Sequence, residues 1–175
     1  MATSPPSDKH VVLVGMMGAG KTSVGELLAK RLDRPFFDVD AWIEDEEGLS
    51  VATLFETRGE AAFRDLEARV LPSFLANPVA CVLSVGGGAV TDERSRKALT
   101  GAGHVVWLRA LDATLAGRVG SGSDRPLLAG GDVAAVLTRL SAVRAPLYTE
   151  VADVIVDVDD LSPEEVVDQI VGGLS

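Results

Sequence analysis

A single cysteine, Cys81, is the only thiol in this chain of 175 residues. It excludes an intramolecular disulfide and a thiolate metal cage; set in an apolar run, it reads as a buried, inert thiol. Histidine is almost as scarce: His10 and His104 stand at expected strand starts, with no partner at metal-ligand spacing. Basic residues are few, 16 Lys and Arg against 26 Asp and Glu, for a net charge of −10 and a pI near 4.6. That deficit argues against a nucleic-acid backbone or an anionic membrane surface as partner, since each calls for a basic face. No apolar run approaches the ~18–20 residues that span a bilayer. The N-terminus shows no basic-then-apolar leader, and no internal repeat or interdomain linker divides the chain. These absences predict a soluble cytoplasmic protein. It has one domain over residues 9–175 behind a flexible N-terminal tail, residues 1–8.

The remaining pattern alternates apolar runs with amphipathic stretches. Strands are expected at His10–Val14, at Phe36–Asp38, over Val79–Val85, at His104–Leu108 and at Asp153–Val158. Helices are expected after Gly20, from Ala41 to Glu47, after Ser50, from about Gly59 to Leu75, after Asp92, from Asp112, through Val136 and Leu140, and after Ser162. The last opens with Ser162-Pro163-Glu164-Glu165, a capping box with proline at the first helical position. Five short strands separated by helices imply a parallel sheet covered on both faces. In such a sheet, ligands bind beyond the carboxyl ends of the strands. The glycine loop after the first strand, the aspartates after the second and the glycines after the third all reach that edge.

Gly15-Met16-Met17-Gly18-Ala19-Gly20-Lys21-Thr22 fits G-x-x-x-x-G-K-[ST] between a strand and a helix. Glycines let several N–H groups aim at one anion, and the helix start adds partial positive charge there. Lys21 reaches outer phosphates as a point charge, and the Thr22 hydroxyl suits Mg²⁺. Asp38 and Asp40, two residues apart in extended chain, turn both carboxylates to one side. They fit a water ligand of Mg²⁺ and a substrate-hydroxyl acceptor, or equally a helix cap. Arg64 and Arg144 suit either a substrate carboxylate or surface ion pairs. Gly86, Gly87 and Gly88 suit either close approach of a ligand or a tight turn. Arg118 and Arg125 flank a glycine-rich stretch that reads as a lid over about 118–132, or as a plain surface loop.

Six segments in one order, GMMGAGKT, FFDVD, GEAAFRDLE, SVGGGAV, DRPLLAG and RAPLY, make the chain resemble the shikimate kinases, within the nucleoside-monophosphate-kinase-like P-loop group. The resemblance spans about residues 9 to 173. It implies a three-layer α/β/α fold with a five-stranded parallel sheet in the order 2-3-1-4-5 and a mobile lid. It also implies ATP-dependent phosphorylation of the shikimate 3-hydroxyl, with one Mg²⁺ ion and with ATP and shikimate as partners; the small size of the chain permits a monomer.

Carried over by position, the resemblance puts Gly15, Gly18, Ala19, Gly20, Lys21, Thr22 and Ser23 on ATP, with Arg118 against adenine and Arg125 at the transferring phosphate. Thr22 ligates the metal directly and Asp38 does so through water. Asp40 meets the ring hydroxyls. Arg64 and Arg144 take the carboxylate with help from Glu67, and Gly86, Gly87 and Gly88 offer backbone. Phe55, Phe63 and Pro126 line the pocket. The late loop, Asp157-Val158-Asp159-Asp160-Leu161, departs from family members that carry a basic residue near adenine. A gluconate kinase of the same architecture is the enzymatic rival, and a nucleotide-dependent regulator without catalysis is the rival of another class.

Overall fold

The computed structural model of the protein describes residues 8–120, 125–128 and 131–174. Residues 1–7 of the expected tail and parts of the expected lid, 121–124 and 129–130, lie outside them.

Strand β1 (His10–Val14) is buried along its whole length, the state of a central strand with helices on both faces. It leads into α1 (Lys21–Leu32), β2 (Phe36–Asp38), α2 (Val39–Glu47) and α3 (Val51–Leu75). There follow β3 (Val82–Ser84), a 3₁₀ turn over Ala89–Thr91, α4 (Glu93–Leu99), β4 (Gly103–Arg109) and α5 (Asp112–Val119). After a second 3₁₀ turn at Pro126–Leu128 come α6 (Val133–Val151), β5 (Val154–Asp157) and α7 (Pro163–Gly173). The sheet order is β2-β3-β1-β4-β5, and every pairing is parallel. Val12 sits between Leu83 of β3 and Val105 of β4. On one side α1 and α7 pack together, while α3, α4, α5 and α6 form a second contiguous group. Among the described residues, no helix is long and apolar enough to cross a membrane.

The expected strands at His104–Leu108 and Asp153–Val158 shift by one residue at each end, to Gly103–Arg109 and Val154–Asp157, and two other boundaries move, each for a local reason. The strand expected over Val79–Val85 shortens to β3. Asn77 accepts the Val79 amide on its side chain at 2.9 Å, an Asx turn around Pro78 that leaves Val79 59% exposed. Helix α2 begins at Val39, two residues before the expected start, because Asp38 caps it. The two helices expected on either side of Gly59 are both present as the halves of α3, meeting at a kink where Gly59 has a non-helical φ of 82°. The capping box at Ser162 forms as expected, with Ser162 and Glu165 bonded reciprocally.

Because all five strands run one way, the ends of β1, β2 and β3 open on one edge. The phosphate-loop sequence, Asp38 and Gly86 follow those ends directly.

Candidate active site

A cleft of about 870 Å³ opens at this edge. Its wall includes Gly18, Gly20, Lys21, Thr22 and Ser23 from the glycine loop and α1, and Asp38 and Asp40 from the β2–α2 junction. Phe55, Phe63 and Arg64 of α3, the Gly86–Gly88 stretch after β3, and Arg118, Arg125, Pro126 and Arg144 complete it. Gly15 and Ala19 lie behind that wall and shape the loop. A Cβ on Gly15 would stand 2.5 Å from the Leu108 carbonyl oxygen, so only glycine lets the loop leave β1 against β4. Gly20, at φ 92°, is the N-cap of α1.

Lys21 Nζ folds back over the loop, donating to the Gly15 and Met16 carbonyls at 2.8 and 3.1 Å. Burial pulls its ammonium down to about 8, against the raising influence of Asp40 and Asp38. The ammonium is therefore a weakly solvated charge resting on two loop carbonyls, ready to exchange them for phosphate oxygens. Thr22 Oγ1 donates to Asp38 Oδ2 at 3.2 Å. The other Asp38 oxygen accepts the Asp40 and Ala41 amides at 3.0 and 3.3 Å. One carboxylate thus serves as cap and as Thr22 partner at once.

The expectation that Asp38 and Asp40 share a side of extended chain is corrected, because Asp40 already lies in α2. Its side chain reaches the cleft from the first helical turn, and Asp40 Oδ1 is buried without a hydrogen-bond partner. Burial, reinforced by Asp38, pushes the Asp40 carboxyl up to about 6.

The two arginines are not surface ion pairs of the ordinary kind. Arg64 bonds Glu67, which is only 1% exposed, and also reaches Glu60 at 3.3 Å. Its guanidinium stands 5.6 Å from the Phe55 ring centroid and 5.4 Å from that of Phe63. Sequence reasoning missed Glu60, although its i,i+4 spacing to Arg64 is a readable signal. Arg144 is 2% exposed. It makes no ion pair among the described residues, and its Nε is buried without a partner. Burial lowers its pKa from the usual value. Glu67 Oε1 is likewise unpartnered, and burial raises that carboxyl to about 7.

Two glycines of the triplet, Gly86 and Gly88, are explained by these side chains. A Cβ on Gly86 would stand 2.4 Å from Glu67 Oε1 and 2.8 Å from Asp40 Oδ1. On Gly88 it would stand 2.1 Å from Arg64 Nη2. The protein's own charged groups, not a turn with left-handed φ, demand bare backbone here. A Gly88→Ala chain should therefore fold, because a guanidinium end can swing aside. We expect kcat/KM for the acid substrate to fall by up to about 10²-fold, the scale of a 1 Å misplacement, with the nucleotide KM unchanged in the same steady-state assay.

Asp40 and Glu67 both ionise less readily than in the unfolded chain. A raised carboxyl pKa contributes stability that is full below the unfolded value and is lost as pH climbs through the folded one. These two groups should thus weaken the fold as pH rises from about 4 through 6 and 7. In Asp40→Asn the first part of that decline disappears, so thermal melts at about pH 5 and pH 7 should lie closer together than in the unmodified protein.

Arg118 donates to the Gly18 carbonyl at 3.3 Å and the Val158 carbonyl at 3.1 Å, tying the glycine loop to the late loop. There Asp157 pairs with Arg109, and Asp159 accepts the Leu111 amide at 2.9 Å. Those acids are engaged in joining the ends of β4 and β5. Leu128, 1% exposed, is buried beside Arg125 and Pro126. At the foot of the loop, Thr22 and Asp38 offer the hard oxygen donors that Mg²⁺ takes. No group of three His, Cys, Asp or Glu among the described residues is arranged to cage an ion. An ion at Thr22 would draw further ligands from phosphate and water, the usual habit of Mg²⁺. At the far ends of the strands, His10 Nδ1 accepts the Cys81 amide at 3.2 Å, a structural contact.

Comparison with known proteins gives a consistent result. The family model described as shikimate kinase matches residues 17–175. A shikimate kinase of Ruegeria pomeroyi is 44% identical over 167 residues, covering 95% of this chain and 85% of that protein. One from Symbiobacterium thermophilum is 44% identical over 163 residues, covering 92% and 93%. The crystal structure of the Acinetobacter baumannii shikimate kinase in complex with shikimate superposes with a TM-score of 0.93 at 35% identity, over 97% of this chain and 94% of that one. A gluconokinase from Sinorhizobium meliloti, at 19% identity and a TM-score of 0.56, shares the fold alone.

Proposed function

The chain belongs to the shikimate kinase family, and on that footing we propose that its residues transfer the γ-phosphoryl group of ATP to the 3-hydroxyl of shikimate, giving shikimate 3-phosphate and ADP. Phosphoryl transfer asks the protein mainly for alignment and for stabilisation of charge on the phosphoryl oxygens. The backbone amides of Gly18, Ala19 and Gly20, with Ser23 beside them, cradle the phosphates, and Gly15 sets the loop's path. Lys21 follows the charge of the outer phosphates, and Arg125 approaches the transferring group. Arg118 lies beside the base. Thr22, with Asp38 through water, would hold Mg²⁺, which would neutralise phosphate charge.

Shikimate occupies the other half of the cleft. Arg64 and Arg144 grip its carboxylate, and Glu67 and Glu60 hold the first of these guanidiniums in place. Asp40 accepts a ring hydroxyl and orients the attacking oxygen. A loose transition state leaves little work for a base, so Asp40 acts chiefly in alignment. Phe55, Phe63 and Pro126 cover the ring, with the backbone of Gly86, Gly87 and Gly88 beneath it.

The observation that carries this reading is the pair of partly uncompensated groups beside the phosphate loop. A buried arginine without an anion and a buried carboxylate oxygen without a donor face one cleft. A hydroxy acid satisfies both. In a chain of net charge −10, such a concentrated cationic site is also what admits an anionic substrate. ADP release in a coupled assay should require shikimate, with gluconate giving none; turnover of gluconate alone would replace this reading with its rival.

A further inference from the structure

Arg144 poses a question that its role with the substrate does not answer, namely what holds a buried guanidinium in place before any anion arrives. It stands one helical turn from Tyr148 on α6, a spacing at which side chains meet, and the phenol lies near enough to favour the charged guanidinium. Among the described residues the guanidinium donates to Met16 Sδ, 3.8 Å from Nη1. The same phenol donates its proton to the Gly87 carbonyl at 2.5 Å. A phenol has one proton to donate, so only its lone pairs are left to face Arg144. The ring is fixed in turn by Trp107 of β4, with centroids 5.3 Å apart and planes at 34°. Burial pushes Tyr148 up to about 12, which keeps that proton in place.

We propose that Tyr148 is a positioning residue for the acid substrate, its single oxygen setting the Arg144 guanidinium and the Gly87 backbone in one mutual geometry. The assignment rests on the reading of this cleft as the shikimate site. It explains why the cation keeps Nε free: the neutral phenol orients the guanidinium without consuming its charge, as a carboxylate partner would.

Tyr148→Phe retains the ring and its stacking on Trp107 and removes only the hydroxyl. The shikimate KM should rise about 10-fold or more, the worth of a hydrogen bond to a charged group. The ATP KM should hold and kcat should change far less, the mark of lost uniform binding. A hydroxyl that merely supported the core would lower the melting temperature and leave the shikimate KM alone, and that result overturns the proposal.

Tyr148 is the only tyrosine in the chain, so growth on 3-fluorotyrosine labels this position alone and keeps its hydroxyl, whatever becomes of the phenylalanine variant. The ¹⁹F resonance should move on saturation with shikimate and stay in place with ADP alone; a signal indifferent to shikimate removes Tyr148 from the site. Normal turnover by the unmodified protein, with an unchanged shikimate KM in Tyr148→Phe, would sink this assignment alone. Absence of shikimate-dependent ATP consumption in the unmodified protein would sink the functional reading with it.

Discussion

Lys21→Ala is expected to lower kcat by about 10²–10³-fold, the scale seen when one preorganised donor to developing charge is removed. Shikimate affinity, measured by calorimetry without nucleotide, should change little, because the ammonium lies over the carbonyls of Gly15 and Met16 and belongs to the phosphate half of the cleft. Stability should move the other way from activity. Burial holds the ammonium at about 8, so the folded protein releases that proton more readily than the unfolded chain. Below about pH 8 the charged group is a desolvated cation that opposes folding. Its removal therefore should not lower the melting temperature at neutral pH. A variant that turns over at the normal rate would take Lys21 out of the phosphate site.

The second large effect is expected at Arg144. Arg144→Met keeps an unbranched chain in the cavity and deletes the charge. Shikimate binding should weaken by about 2–5 kcal/mol, the usual consequence of removing one member of a desolvated charge pair. The ligand-free protein should at the same time become more stable, because the deleted cation has no ion-pair partner among the described residues and an unpartnered Nε. Thermal melts with and without shikimate read both effects: the ligand-free curve shifts up, and the increment from shikimate vanishes. Unchanged affinity would show that Arg144 does not meet the substrate. Loss of both affinity and ligand-free stability would show that it is a structural residue.

These two residues share a cause with Asp40 and Glu67. Each is an ionisable group whose ligand-free surroundings disfavour its charge. The fold tolerates this because the site stands on a sheet whose central strand is wholly buried and on helices capped at Asp38, Ser50, Asp92, Asp132 and Ser162. Groups poised in this way gain most from binding an anion and a hydroxyl, since the ligand supplies partners that the protein withholds.

How far the sequence could be read varied from residue to residue. Gly15 to Thr22 was legible because a phosphate loop is a local object, made by consecutive dihedral angles between a strand and a helix. Asp38 admitted two readings, metal-water ligand and helix cap. The structure shows it capping α2 with one oxygen and meeting Thr22 with the other. Asp40 stands at the sheet edge as its position in the sequence implies, but strand alternation does not aim it there, because the Asp38 cap has already started the helix. Arg64 and Arg144 looked like any arginines on helices by spacing alone, and their resemblance to a family motif, not their periodicity, singled them out.

The sequence by itself determined the elements and the position of the phosphate loop, because capping, glycine dihedrals and apolar runs act over a few neighbouring residues; the strand order came from the family resemblance. Only the tertiary structure decided which charges would be left wanting a partner. Arg144 with Met16, Tyr148 with Gly87 and Gly88 with Arg64 join segments far apart in the chain. Desolvation is a property of everything packed around a group, and no local pattern records it.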